Sequence, residues 1–225
     1  MTQDAIRESR GRNRKVPNLA QAAAEFWRYP SPWLLSAALI AALTARVTVG
    51  GWHLSDAVVP LAIAAAFPFV EWLVHVCVLH WRPRRVAGVT LDSLLARKHR
   101  EHHVDPRHTA LVFIPLPSLI GAIVSATLVA VFAFPRIGLG LTFLTLVMAV
   151  GLVYEWTHYL VHTDYKPKGA VYRFIWRNHR LHHYKNEHFW YAVTTPGTAD
   201  RVLGTYPDPA AVSSSPTAKN LHARV

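Results

Sequence analysis

Four apolar stretches, each close to the roughly 20 residues a helix needs to cross a bilayer, constrain this chain more than any other feature. They run from about Trp33 to Trp52, Ala57 to His80, Ala110 to Phe134 and Ile137 to Val161. One charge, Arg46, interrupts the first and is expected to snorkel to the interface. Charged residues make up 16% of the chain, against roughly 25% in an ordinary soluble domain. That deficit excludes most soluble folds.

The net charge of +11 suits a nucleic-acid binder as readily as a membrane protein, and its distribution decides between them. Lys and Arg come in blocks between the apolar runs. Arg7, Arg10, Arg12, Arg14, Lys15 and Arg28 precede the first run. Arg82, Arg84, Arg85, Arg97, Lys98, Arg100 and Arg107 follow the second, and Lys166, Lys168, Arg173, Arg177, Arg180 and Lys185 follow the fourth. The two remaining connections hold Arg136 alone. Cytoplasmic loops of membrane proteins concentrate Lys and Arg, so both termini and the long second loop are expected in the cytoplasm. The expected fold is all-α: about four transmembrane helices with a cytoplasmic helical cap. The chain divides into a cytoplasmic segment 1–32, a membrane domain 33–206 and a tail 207–225 rich in Pro, Ser and Ala that reads as disordered. Ala20 to Trp27 is a candidate interfacial helix with Phe26 and Trp27 at the headgroup level. The single cysteine, Cys77, allows no intrachain disulfide. No apolar stretch with a cleavage site opens the chain, so no removed signal peptide is expected.

Ten of the 14 histidines fall into four clusters. His99, His102 and His103 stand at i, i+3 and i+4, which share a helix face. His179, His182 and His183 repeat the pattern, and His158 and His162 are i and i+4. His75 and His80 are five apart, a rotation of roughly 140° on an α-helix, so this pair either reaches two different metals or sits where a helix frays. The charge pattern sends the second and fourth apolar segments toward the cytoplasm, and all ten histidines then converge on one side. Ten buried neutral imidazoles without partners would each cost about 1 to 3 kcal/mol. Metal ions remove that cost, and ten ligands suit two ions. Glu71 and Glu155, one turn before histidines and inside apolar helices, are candidate carboxylate partners for ligand N–H groups. Asp105, Asp164 and His188 follow the clusters and are further candidates.

In their order and spacing these four boxes resemble those of the fatty acid hydroxylase superfamily, over about Glu71 to Thr205. Asn186, Glu187, Val193-Thr194 and Asp200-Arg201…Gly204-Thr205 extend the likeness, while Ala192 stands where many relatives have glycine. The resemblance implies a dimetal centre on these ten histidines, iron in the working enzyme and zinc in some purified members. It implies oxidation of a lipid with O2, by hydroxylation, or by desaturation or carotenoid hydroxylation in sister branches. Zinc has no redox chemistry to offer such a reaction. The chain has no dinucleotide fingerprint, iron–sulfur cysteine set or haem module. Two electrons are therefore expected from a separate carrier of ferredoxin or cytochrome type, with Arg97, Lys98 and Arg180 as candidate docking residues. His99-Arg100-Glu101-His102 is not the H-E-x-x-H of zinc proteases. A metal transporter, the rival class, would place its ligands at mid-membrane rather than at helix ends. The small chain suggests a bacterial plasma membrane.

Overall fold

A computed structural model describes residues 18–223; the basic residues Arg7 to Lys15 lie outside them. The protein is helical with four candidate spans, Pro30–Val49, Leu54–Leu79, Thr109–Phe132 and Ile137–Val161, and a histidine-rich cap at one end. A short helix α1 (Leu19–Phe26) is capped by the Asn18 side chain, which accepts from the Gln21 N–H. Span helix α2 (Pro30–Val49) starts with proline in its first turn, where a missing N–H costs nothing. Helix α3 (Val58–Val74) follows a single 3-10 turn. A two-stranded hairpin, β1 (Arg84–Val86) and β2 (Val89–Leu91), precedes α4 (Leu94–Val104). The third span is broken at Pro115 into α5 (Thr109–Val112) and α6 (Leu116–Phe132). The long α7 (Ile137–Val161) completes the bundle, and α8 (Ala170–Tyr184) and α9 (Thr198–Val202) complete the cap.

Close approach of backbones holds the spans together, as it must where lipid is as apolar as leucine. A Cβ at Gly140 would lie 1.8 Å from the Ala130 carbonyl oxygen, so α6 and α7 meet there only because glycine has no side chain. Leu35 and Ala42 of α2, Leu119 of α6 and Leu144 and Met148 of α7 form the apolar core of the bundle. At the end away from the cap, Arg46 is 1% exposed, not snorkelling to the interface as expected. Its guanidinium donates to Thr142 Oγ1 at 2.8 Å, the Gly50 carbonyl at 2.5 Å and Asp56 Oδ2 at 2.9 Å, and lies over the Trp52 ring. Arg136 closes the network on the other oxygen of Asp56. A charge with this many fixed partners has no need to reach water.

Two further expectations, on Phe26 and on the tail, are corrected. Phe26 of α1 does not face the headgroups: it is 2% exposed and packs on Phe113, Trp156 and Tyr159, while Trp27 stays exposed with its ring tilted against that of Trp33. The second loop carries the hairpin, turned by Ala87 and Gly88, both at positive φ as a two-residue turn requires. The tail is not loose: residues 207–223 run back across the cap, with Ala218 and Leu221 each 4% exposed. Its small residues let the backbone approach the cap closely and hydrogen-bond to it, which composition alone does not reveal.

Candidate metal centre

Each histidine cluster reaches the cap by a different local device. On α4 and α8 the i, i+3, i+4 spacing does the work, and both helices end in histidines whose rings turn inward. His158 lies in the last turn of α7 and His162 caps its end. His75 and His80 depend on a π turn, His75–Leu79, that continues α3. The His80 N–H bonds the His75 carbonyl five residues back, at 3.0 Å. One extra residue in the turn cancels most of the rotation that separates the pair on an α-helix, so they neither fray apart nor serve opposite sites. Such single turns are uncommon and cluster at functional positions.

The ten histidines form two groups of five, each with one nitrogen per ring lying within 4.8 Å of the others. The first holds His75, His80, His99, His103 and His182; the second holds His102, His158, His162, His179 and His183. The two repeated boxes are shared in opposite senses. Helix α4 sends its i, i+4 pair to the first group and the middle histidine to the second; α8 does the reverse. The groups abut, with the His103 and His183 rings stacked at 4.2 Å.

Hydrogen bonds cannot account for these contacts. Nε2 of His162 lies 3.2 Å from Nε2 of His102 and 3.1 Å from Nε2 of His179, which in turn is 3.1 Å from Nε2 of His183. The first group has the same close pairs, His80 with His182 at 3.2 Å and His99 with His103 at 3.1 Å. One ring nitrogen offers one proton or one lone pair, so at most two of the three contacts along this row of four nitrogens can be hydrogen bonds. Nitrogens about 2.0 to 2.1 Å from a common ion, in tetrahedral or octahedral array, would lie about 2.9 to 3.4 Å apart. The spacing therefore fits two ions, one in each group. The protonation states fit as well. Burial, reinforced by neighbouring imidazoles, holds His80, His99, His102, His162, His179, His182 and His183 well below the ordinary histidine range. Burial takes His103 to about 4. Neutral imidazole is the form that ligates.

The outward nitrogens find a different partner from the one expected. His75 Nδ1 donates to the Tyr191 carbonyl at 2.6 Å, His182 Nδ1 to the Phe189 carbonyl at 2.9 Å and His103 Nδ1 to the Ala218 carbonyl at 2.9 Å. Each bond leaves Nε2 with its lone pair toward the group, the orienting role usually given to carboxylates or carbonyls. All three belong to the first group. In the second, Nδ1 of His102, His179 and His183 is buried without a hydrogen-bond partner among the described residues.

Glu71 instead accepts from the Thr194 N–H, the Thr194 hydroxyl and the Thr195 hydroxyl. Glu155 accepts from the Ser31 hydroxyl at 2.7 Å and the Ile114 N–H at 2.8 Å. Both carboxylates are satisfied by other parts of the scaffold, Glu71 by the loop at Thr194 and Thr195 and Glu155 by the first turn of α2 and the break before α6. Asp164 pairs with Arg107 at the surface, Asp105 caps α4, and His188 is exposed beside Glu187; none of the three belongs to either group. Asp200, fully buried, accepts from the Tyr191 and Ala192 N–H groups and from the Thr205 hydroxyl. Glu71 and Asp200 thus clamp the loop 189–195 from two sides, and that loop supplies the carbonyls for His75 and His182. Between those carbonyls Trp190 adopts φ of 56° while wholly buried, a conformation costly for a bulky residue and tolerated where the surroundings fix it. Nothing in the sequence marks Trp190; Asp200 and Thr205 are visible only as part of the family-like stretch.

A cleft of about 610 Å³ lies between α3 and α7. Val59, Phe67, Val70, Phe143 and Val150 are among its apolar walls, and Glu71, Tyr154 and His75 lie at its cap end. Val193 lines it, but Ala192, whose N–H is held by Asp200, does not. From Val59 to His75 the helix rises roughly 24 Å, at 1.5 Å per residue.

No curated protein and no solved structure matches this chain. The family model for fatty acid hydroxylases matches residues 60–205. That range takes in every one of the ten clustered histidines and well over half of the sequence, and the chain belongs to the fatty acid hydroxylase family.

Proposed function

We propose that this protein is a membrane-bound monooxygenase that hydroxylates a lipid, with a fatty acyl chain as substrate, using two iron ions held by the two histidine groups. Bound iron supplies the redox chemistry that a C–H bond demands and zinc lacks. The balance is one C–H bond, one O2, two electrons and two protons in; one C–OH and one water out. The cleft carries this reading. It is walled by apolar side chains over roughly the length of a membrane-embedded helix and ends at His75, a member of the first group. An extended acyl chain is the ligand that such a slot desolvates at least cost. The α3 and α7 walls would hold the chain in line and keep water out, while the carbonyl-bound rings of His75, His103 and His182 hold fixed nitrogens at the reacting end.

The two electrons would come from a separate carrier. Arg97 is exposed on the cap, and Lys98 and Arg180 are partly so, which suits an acidic electron-transfer protein. The charge pattern puts the cap, and with it the site, in the cytoplasm.

Lipid extracts from cells with and without the gene test the reading. A product heavier by one oxygen, absent with His182→Ala, is the expected result. A product lighter by two hydrogens would replace hydroxylation by desaturation. Lipid profiles that do not change, from cells supplied with iron and a reductant system, would remove the enzymatic reading altogether.

A further inference from the structure

The family match ends at residue 205, yet one of the three carbonyls that orient histidines comes from beyond it. The carbonyl of Ala218 accepts from His103 Nδ1 at 2.9 Å, and both residues are buried. The segment around Ala218 is fastened on either side. The Ser215 N–H donates to the Lys185 carbonyl at 2.7 Å, and Asn186 Nδ2 donates to the Ser213 carbonyl at 3.3 Å. The Thr217 hydroxyl donates to Glu187, which is 2% exposed, and the Thr217 N–H bonds the Ser215 hydroxyl at 3.2 Å. Beyond Ala218, Leu221 is buried and His222 Nε2 donates to the His80 carbonyl at 3.1 Å. The strap therefore touches both His80 and His103, and both belong to the first group.

We propose that residues 213–222 form a positioning strap for the first metal site. The Ala218 carbonyl fixes the tautomer and ring plane of His103, and the Thr217–Glu187 bond holds that carbonyl in place. The strap makes no such bond to a histidine of the second group among the described residues, so its loss is selective. Partners of this kind typically change metal affinity by about 10- to 100-fold. Small residues at Ser213, Ser214, Ser215 and Ala218 are what a backbone needs to lie this close to packed imidazoles. The inference rests on the two-metal reading above.

Titration of the purified, metal-free full chain with Co(II) tests it, because cobalt reports each site by its visible absorption. The native chain is expected to take up two equivalents. Thr217→Val is expected to weaken one of them by about 10- to 100-fold and leave the other unchanged, while Thr217→Ser, which keeps the hydroxyl, retains both. A chain ending at Val212 should lose the same equivalent more completely, with its helical circular dichroism checked in parallel. Two equivalents of unaltered affinity and spectrum in both Thr217→Val and the shortened chain would overturn the strap. Equal weakening of both sites in Thr217→Val would also overturn it, since it would show a general loss of packing. A native chain that binds no cobalt would overturn the two-metal reading itself, and the strap with it.

Discussion

At the scale of single residues, His162, like His179, is an exacting position. Its Nε2 has two ring nitrogens within 3.2 Å, more than any one proton or lone pair can serve. His162→Ala is expected to cut metal content from two ions to one, and to reduce turnover by more than the roughly 100-fold typical of an outer partner. Metal analysis beside product assay checks both, and two ions retained would contradict the assignment of His162 to a site. The buried imidazoles also set a pH dependence. Groups such as His99, His102, His179 and His183 are held neutral well below 6.5 when folded, while unfolded histidines protonate near 6.5. Below that value the unfolded chain binds more protons, so stability falls as pH falls. The full contribution is present above about 6.5 and is lost progressively toward the folded values, about 4 for His103. Thermal midpoints of the metal-free protein should drop between pH 7 and 5, and a flat profile would mean that these rings are hydrated. The gathering of the ten histidines was legible because imidazole at helical spacing has few other uses. The roles of Glu71 and Glu155 were not, since a carboxylate one turn from a histidine bonds whatever loop lies opposite, and Thr194, Thr195, Ser31 and Ile114 are distant in sequence.

At the scale of elements, apolar length gave the four spans to within a few residues, because hydrocarbon thickness leaves little choice. The sequence is silent where a local departure solves a tertiary problem. Five-residue spacing between His75 and His80 looks wrong on an α-helix, and only the π turn makes it right. Pro115 breaks the third span, and Ala87-Gly88 turns a hairpin too short to announce itself. The tail has the composition of disorder and is ordered by contacts that lie outside it. Gly140 is a comparable case, one residue on which an interhelix contact depends. A side chain there must displace the Ala130 backbone, so Gly140→Val is expected to part α6 from α7. It should lower the yield of monodisperse protein in detergent several-fold, measured by size-exclusion chromatography, while Gly151→Ala, whose Cβ would meet a flexible Leu35 side chain at 3.2 Å, should be tolerated.

At the scale of the whole molecule, the polar groups are divided between two ends of an apolar bundle. The cap end carries the histidines, with Glu71 and Asp200 bracing the loop whose carbonyls orient His75 and His182. The other end carries Arg46, Asp56 and Arg136, with Thr142 and the Gly50 and Gly51 carbonyls. Along α7 the two are separated by about 30 Å, at 1.5 Å per residue from Gly138 to His158. That distance makes their functions separable. Asp56→Ala removes the one carboxylate shared by two arginines and strands Arg46, which has almost no exposed surface; an uncompensated buried charge is far costlier than the intact pair. The thermal midpoint should fall by several degrees, because the turn between α2 and α3 loses its tie to the start of α7. Metal content per folded molecule should stay unchanged, since neither histidine group touches this network. A double replacement, Arg46→Met with Asp56→Leu, should recover much of the lost midpoint, as apolar isosteres of buried ion pairs often do. If Asp56→Ala instead lowered the metal content of the folded fraction, the two ends would be coupled through α7, and the cap could no longer be treated as a self-contained site carried on a passive bundle.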